Sequence, residues 1–142
     1  MKMTTILAMG LCAATGFLTT QPSNAQDKPG HEEDHAKIQI PDTKDGILKE
    51  IDKQYQELAG TIKANKLSEV HEHAYAIRDL ARALPAKTGP EMKKMVENAV
   101  KRVSQLAEDL DKSGDADDQA KTEANLKKMD AAIKTLKEHA SM

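Results

Sequence analysis

Apolar residues recur three or four positions apart in four stretches of the chain, and charged residues occupy most of the positions between them. This spacing places the apolar side chains on one face of a helix, so each stretch predicts an amphipathic helix. Helices of this kind bury their apolar faces against one another, which predicts an all-α fold, a four-helix bundle. The four stripes are Ile47, Ile51, Tyr55, Leu58 and Ile62; Val70, Ala74, Ile77, Ala81 and Leu84; Met92, Val96, Ala99, Val103, Leu106 and Leu110; and Leu126, Met129, Ile133 and Leu136.

Capping residues and helix-breaking residues indicate where each helix begins and ends. Pro85 ends the second helix, and Gly114, in a left-handed conformation, is expected to end the third. Because the connections are short, neighbouring helices are expected to run antiparallel, in an up-down-up-down order. The expected helices span about 42–64, 68–84, 90–112 and 117–140. The expected N-caps are Asp42 or Thr43 for the first helix, Ser68 for the second, and Asp115 or Asp117 for the fourth.

Two segments at the margins of the bundle have fewer apolar residues to pack. The first half of the fourth helix offers only Ala120 and Ala124 to the core, so we expect its start to fray. Before the first helix, Ile38 and Ile40 are expected to pack across the end of the bundle.

Residues 1–25 have the organisation of a secretory signal peptide. Lys2 supplies a positive start, Ile6–Leu18 is an apolar run too short to span a bilayer comfortably, and small residues precede a cleavage site after Ala25. The single Cys, Cys12, lies inside the apolar run behind a residue that is not small, which disfavours a lipoprotein signal. We therefore expect an exported, periplasmic protein with no membrane anchor after cleavage.

Removal of residues 1–25 leaves no Cys, Phe or Trp, and Tyr55 and Tyr75 are the only aromatic residues that remain. The remaining chain therefore has no disulfide, no thiolate metal site, no Cys nucleophile and no attachment site for a c-type haem. Loss of Lys2 changes the formal net charge from −2 to −3. Because no basic patch with interleaved aromatic residues is present, nucleic acid is not an expected partner.

Five histidines are the first candidates for metal ligands. Residues 26–41 form a charged leader without periodicity, expected to be disordered, in which His31 and His35 are four positions apart. If the leader becomes helical on binding, both imidazoles face one way and bind a Cu, Ni, Co or Zn ion. His71 and His73, with nearby acidic residues, are candidates for a second, weak site. Their side chains diverge by about 200° on a helix, so they do not chelate one ion together, and solvated helix flanks are the alternative.

A run of oxygen ligands at the third connection resembles the spacing of an EF-hand loop. Gly114 stands at the sixth position, as in an EF-hand, but Ala120 stands at the twelfth, where a bidentate Glu is needed. We therefore expect a weak calcium-like loop at most, and the alternative is a Gly-capped helix end followed by an Asp-capped helix start. The candidate ligands are Asp109, Asp111, Ser113, Asp115 and Asp117.

The helical pattern also explains most of the methionines, and it leaves no acidic side chains in the core. Met92, Met95 and Met129 are candidates for a soft copper(I) site. Met92 and Met129 lie on stripes and are expected to be core residues, so copper(I) is not the favoured interpretation, although Met95 lies off the main stripe. No pairing of a nucleophile with a base is present, and the stripes carry no inward-facing carboxylates. An enzyme is therefore not expected.

With these elements placed, residues 42–140 resemble the cytochrome b562-type periplasmic bundles, including a third helix that opens Pro90-Glu91-Met92-Lys93. That family binds haem through a Met early in helix one and a His late in helix four. His139 lies more than a turn beyond the second of these positions, so both axial ligands are missing and haem is not an expected cofactor. The corresponding positions here carry Ile47, Leu48 and Ile51 in helix one and Ile133 or Lys134 in helix four.

Several short segments are similar to small exported bacterial bundle proteins, largely uncharacterised, that are associated with heavy-metal or copper efflux. These segments are Leu67–His71, Ala76–Leu80, Ala83–Pro85 and Asp115–Asn125. The resemblance implies an accessory role in periplasmic transition-metal handling, with a metal-efflux component or another envelope protein as partner. The alternative is an envelope protein-interaction or stress-response bundle that binds no metal, either monomeric or homodimeric.

Overall fold

The computed structural model describes residues 38–142, and the predicted signal peptide and the leader histidines His31 and His35 lie outside this range. Helices make up 86% of the described residues and no strand occurs among them, so residues 38–142 form an all-α fold with four α-helices. No helix within this range is long and apolar enough to cross a membrane. The helices are α1 (Lys44–Lys63), α2 (Val70–Ala83), α3 (Pro90–Asp115) and α4 (Gln119–Ser141), with 3₁₀ turns at Leu67–Glu69 and Leu84–Lys87.

The four predicted stripes meet in one hydrophobic core, which confirms the prediction from their spacing. Helix α1 packs against α2 and α4, and α3 packs against the same two helices. Every stripe residue is buried except three: Tyr55 and Leu126 are half-buried and pack against the core, whereas Met92 is half-buried and does not belong to the core cluster, contrary to the prediction. Ile38 packs against the core as expected, but the side chain of Ile40 is 44% exposed, so only one of the two isoleucines covers the end of the bundle.

The starts of α1 and α2 are formed in different ways. Thr43 caps α1 as expected, because its hydroxyl accepts a hydrogen bond of 3.1 Å from the backbone N–H of Gly46. The prediction that Ser68 caps α2 is wrong. The chain enters α2 through the 3₁₀ turn, in which the N–H of Glu69 donates to the carbonyl of Lys66 at 3.1 Å and Val70 N–H donates to Leu67. Backbone bonds therefore satisfy donors that a side-chain cap would otherwise accept from.

The end of α3 also differs from the prediction, because Gly114 is a helical residue without a positive φ, one position before the last residue of α3. The left-handed residue is Asp117, with φ 53°, and α3 extends to Asp115. A Cβ added at Gly114 would lie 2.8 Å from the backbone oxygen of Leu67 and 3.3 Å from Cβ of Val70. Glycine is therefore required here by the close approach of α3 to the chain that enters α2, and its conformational freedom is not used.

The start of α4 is capped by Asp118, which accepts a hydrogen bond of 3.0 Å from the N–H of Lys121. The prediction of Asp115 or Asp117 as the cap is therefore wrong. The expected core contribution of Ala120 and Ala124 is also wrong, since both residues are exposed. The buried positions of this half-helix are instead the polar residues Thr122 and Asn125.

These two residues form a buried polar cluster with Ser113 of α3, whose side chain is fully buried. The amide nitrogen of Asn125 donates to the carbonyl of Asp109 at 3.0 Å and to Ser113 Oγ at 3.4 Å. The hydroxyls of Ser113 and Thr122 each donate to a carbonyl of their own helix, at 3.0 and 2.7 Å. Because each of these side chains has a hydrogen-bond partner, their burial leaves no donor without an acceptor, and the bonds from Asn125 join α4 to α3.

Candidate metal-binding site

His73 lies on the face of α2 that meets α1, where side-chain donor atoms of both helices converge. Its Nδ1 is 3.0 Å from Oε1 of Gln54 and 3.5 Å from Oε2 of Glu57. The imidazole is 22% exposed, and it lines a groove of about 330 Å³ together with Glu57 and Glu69. The site is therefore polar, partly shielded and open on one side.

The orientation of Gln54 follows from its other hydrogen bond. Its amide nitrogen donates to Oε1 of Glu50 at 3.0 Å, so its carbonyl oxygen is the group that faces His73. This hydrogen bond from Gln54 is the main cause that lowers the pKa of Glu50. An oxygen acceptor, an imidazole nitrogen and a carboxylate oxygen are thus held together, and the Gln54–Glu50 bond fixes one of the three.

His71 lies one helical flank away from His73 and in a different groove. It is half-buried in a groove of about 410 Å³ that is also lined by Asp115, Asp117 and Gly114. The two histidines therefore line separate grooves, in the way that their two-residue spacing leads us to expect.

The segment predicted as a calcium-like loop is mostly helix. Asp109, Asp111, Ser113 and Asp115 all belong to α3, and only Asp117 lies outside it. Ser113 is fully buried and donates to the carbonyl of Leu110, while Asp111 accepts a hydrogen bond of 2.7 Å from the hydroxyl of Tyr75. The prediction of a loop is therefore wrong, because the helix continues through residues that an EF-hand needs in a turn.

Within residues 38–142, no group of three or more His, Cys, Asp or Glu side chains is arranged to hold a metal ion. The convergence at His73 consists of one imidazole, one carboxylate and one amide, so it falls below that number. His31 and His35 lie outside the described residues. Nδ1 of His73 lies 3.5 Å from a carboxylate oxygen of another helix, that of Glu57.

A second polar network, which the sequence does not reveal, joins α2 to α3. The guanidinium of Arg78 lies 4.2 Å from the centre of the Tyr75 ring, and its Nε donates to Asp79 at 2.9 Å. Burial, followed by the hydrogen bond to Asp111, raises the pKa of Tyr75. The spacing of Tyr75 and Arg78 by three residues is the one signal available in the sequence, and it does not identify the partner on α3.

Comparison of the chain with protein-family models, with curated proteins and with solved structures gives no match.

Proposed function

We propose that this chain is a non-enzymatic, exported helical-bundle protein that binds a divalent transition-metal ion and serves as an accessory in periplasmic metal handling. The observation that carries this proposal is the convergence of His73, Glu57 and Gln54 between α1 and α2. The ion is Cu²⁺, Ni²⁺, Co²⁺ or Zn²⁺, because imidazole and carboxylate ligands suit these metals.

The scaffold of the proposal is an antiparallel, up-down-up-down bundle, and contacts between α1 and α4 support it. Lys44 Nζ donates to the carbonyl of Ala140 at 2.6 Å, whereas the amide of Gln119 donates to the carbonyl of Ile62 at 3.0 Å. Residue numbers thus rise along α1 as they fall along α4. The bond from Asn125 to the carbonyl of Asp109 fits the same direction for α3 and α4.

The spacing of the donor atoms suits two ligands of one ion. Metal–ligand distances of about 2.1 Å in a tetrahedral site separate neighbouring donor atoms by about 3.4 Å. Nδ1 of His73 and Oε2 of Glu57 are 3.5 Å apart, and Oε1 of Gln54 lies 3.0 Å from the same nitrogen. An ion at Nδ1 replaces the hydrogen bond to Gln54, and the imidazole then carries its proton on Nε2. Water completes the coordination, so we expect reversible binding.

The leader histidines belong to the proposal as additional ligands. Four-residue spacing brings His31 and His35 to one side if the leader becomes helical around an ion. Two sites of different construction then share the metal, one in the leader and one between α1 and α2.

The test is calorimetric titration of the purified protein with Zn²⁺, Ni²⁺, Co²⁺ and Cu²⁺, combined with imidazole ¹⁵N NMR in the presence of Zn²⁺. We expect Zn²⁺ to shift Nδ1 of His73, and His73→Gln or Glu57→Gln to lower the affinity of this site about tenfold or more. His71→Gln is the matched control, because it removes a half-buried imidazole of the same helix that lines another groove.

A His31→Ala/His35→Ala variant separates the leader from the site at His73. Loss of all binding in that variant, with no ¹⁵N shift at His73 in the unmodified protein, contradicts the site between α1 and α2. Absence of binding to every metal in every variant contradicts the proposed function as a whole and favours the envelope-interaction alternative.

A further inference from the structure

The start of α3 and the end of α4 meet at a groove with methionines on both sides. Met92 and Met142 both line this groove of about 400 Å³, together with Thr88, Pro90 and Ala140. The side chain of Met142 is 78% exposed and that of Met92 is half-buried. A thioether of α3 and a thioether just beyond the end of α4 thus border one open space.

Met95 and His139 belong to the same part of the molecule by helical register. Further along the α3–α4 contact, Ala99 and Arg102 line a second groove opposite Ala132 and Thr135. One helical turn separates these residues from the methionine groove on each of the two helices. Met95 is four residues before Ala99 on the same flank of α3, and His139 is four residues after Thr135 on the same flank of α4. The register therefore assigns Met95 and His139 to the next turn of the α3–α4 contact, on the side of the methionine groove.

The packing of the core does not account for these side chains. Met129, which lies on a stripe, is fully buried, whereas Met95 is 40% exposed. Nδ1 of His139 is buried and has no hydrogen-bond partner among the described residues. An imidazole nitrogen shielded from water without a partner costs free energy, and a bound ion would supply the partner that Nδ1 of His139 lacks.

We propose that Met92, Met95, His139 and Met142 form a binding site for a soft monovalent metal ion, Cu(I) or Ag(I). Thioether sulfur and neutral imidazole are soft donors that select Cu(I) over divalent ions of the same series. These four side chains bring no formal charge, so an ion of charge one is desolvated at lower cost than an ion of charge two. The site is distinct from the convergence at His73, and it stands whether or not a divalent ion binds there.

Glu91 and Lys44 are the charged groups that line the methionine groove. The ammonium of Lys44 donates to the carbonyl of Ala140 at 2.6 Å, so it is held at the end of α4. Glu91 is exposed at the first turn of α3, where the positive end of the helix dipole favours a carboxylate. Neither group is needed as a ligand, and the site is defined by sulfur and imidazole nitrogen.

The test uses Ag⁺ as the probe, supplied as the nitrate in chloride-free buffer, with the purified protein labelled with ¹³C in the methionine methyl groups. We expect Ag⁺ to shift the methyl resonances of Met92, Met95 and Met142 and the Nδ1 resonance of His139. The methyl of Met129 is the internal control, because it lies in the core and is expected to stay unmoved. Zn²⁺ added in place of Ag⁺ is expected to leave these methyl resonances unchanged.

Substitutions measure the contribution of the thioethers to affinity. Met95→Leu combined with Met142→Leu keeps two apolar side chains of similar size and removes two sulfur ligands, so we expect the affinity for Ag⁺ to fall about tenfold or more. Met129→Leu is the matched control and is expected to leave that affinity unchanged. An unchanged affinity in the double variant, or equal shifts of all methionine methyl groups with none at His139, overturns the proposal.

The two metal proposals fail separately. His73→Gln is expected to leave Ag⁺ binding unchanged, and the Met95→Leu/Met142→Leu variant is expected to leave Zn²⁺ binding at His73 unchanged. Loss of Ag⁺ binding in His73→Gln contradicts the methionine site and assigns the soft ion to the site between α1 and α2.

Discussion

The two ends of the α3–α4 pair differ in the hydrogen bonding of their buried polar side chains. Where α3 leads into α4, the side chains of Ser113, Thr122 and Asn125 are buried and hydrogen-bonded. Where α3 begins and α4 ends, Nδ1 of His139 is buried with no partner among the described residues. Satisfied polar groups join helices, whereas the unsatisfied nitrogen of His139 is where we propose that a ligand binds.

Gln119, at the end where α3 leads into α4, differs from Ser113, Thr122 and Asn125. Oε1 of Gln119 is also buried without a partner in the described part of the chain. The amide nitrogen of the same side chain donates to the carbonyl of Ile62 at 3.0 Å and to Glu123 at 2.6 Å. These two bonds fix the orientation of the amide group. Its nitrogen joins α4 to α1, and its carbonyl oxygen is left without a partner.

The largest effect is expected from Gly114→Ala, at the end where the polar cluster lies. Alanine is normally the better helix residue, but its Cβ would lie 2.8 Å from the backbone oxygen of Leu67, which has no flexible side chain to move aside. We expect a loss of about 2–3 kcal/mol in the free energy of unfolding, measured by urea denaturation.

Gly60→Ala is the matched control for this substitution. Gly60 is an exposed residue of α1, and a Cβ added there meets nothing within 4 Å. We therefore expect it to stabilise the fold by about 0.5–1 kcal/mol. Stabilisation by both alanines would show that α3 does not approach the start of α2 as closely as described.

The next effect in size is expected from Asn125→Ala. This substitution removes the amide that donates to the carbonyl of Asp109 and to Ser113, and it leaves a space in a buried layer. We expect a loss of about 1–2 kcal/mol in the free energy of unfolding. Asn98→Ala, at an exposed position of α3, is the control and is expected to change stability by less than about 0.5 kcal/mol. Equal effects of the two substitutions would show that the hydrogen bonds of Asn125 do not stabilise the contact between α3 and α4.

The helices and the core were predictable from the sequence because helical periodicity is local information. The spacing of residues such as Ile47, Ile51 and Leu58 reports which face is apolar, whatever the rest of the chain does. The role of Gly114 was not predictable in the same way. A glycine near a helix end commonly supplies a left-handed cap, and only the approach of Leu67 and Val70 shows that the absence of a Cβ is what matters.

The candidate sites were predictable only as residue types. The sequence indicates that His73 is near acidic residues, but its pairing with Gln54 and Glu57 depends on the rotation of α1 against α2. Met92 and Met129 were assigned to the core because each follows a stripe. Met95 does not follow one, and its exposure together with the buried nitrogen of His139 is visible only in the folded chain.

A smaller effect is expected from Tyr75→Phe, which removes the hydroxyl that donates to Asp111 across the α2–α3 contact. Because the hydroxyl is only partly buried, we expect a loss of about 1 kcal/mol near pH 7. The raised pKa of Tyr75 makes this contribution depend on pH. The contribution is complete below pH 10, the ordinary value of a tyrosine, and it is lost as the pH rises further, because the unfolded chain then ionises first.

Denaturation between pH 9 and about pH 11 measures this dependence. The stability of the unmodified protein is expected to fall more steeply over this interval than that of Tyr75→Phe. Tyr55 also has a raised pKa, caused mainly by burial, so part of the fall remains in the variant. Identical pH profiles for the two proteins would show that the hydroxyl of Tyr75 contributes nothing to the joining of α2 and α3.

The smallest effect on stability is expected from Met95→Leu, near the start of α3. The side chain is 40% exposed and leucine has a similar volume, so the free energy of unfolding is expected to change by less than about 0.5 kcal/mol. If the methionines at this end serve a ligand, their replacement leaves the fold intact and lowers the affinity for Ag⁺. A loss of stability as large as that of Asn125→Ala would instead show that Met95 is a packing residue. Its side chain would then no longer indicate a ligand site at this end of the α3–α4 pair.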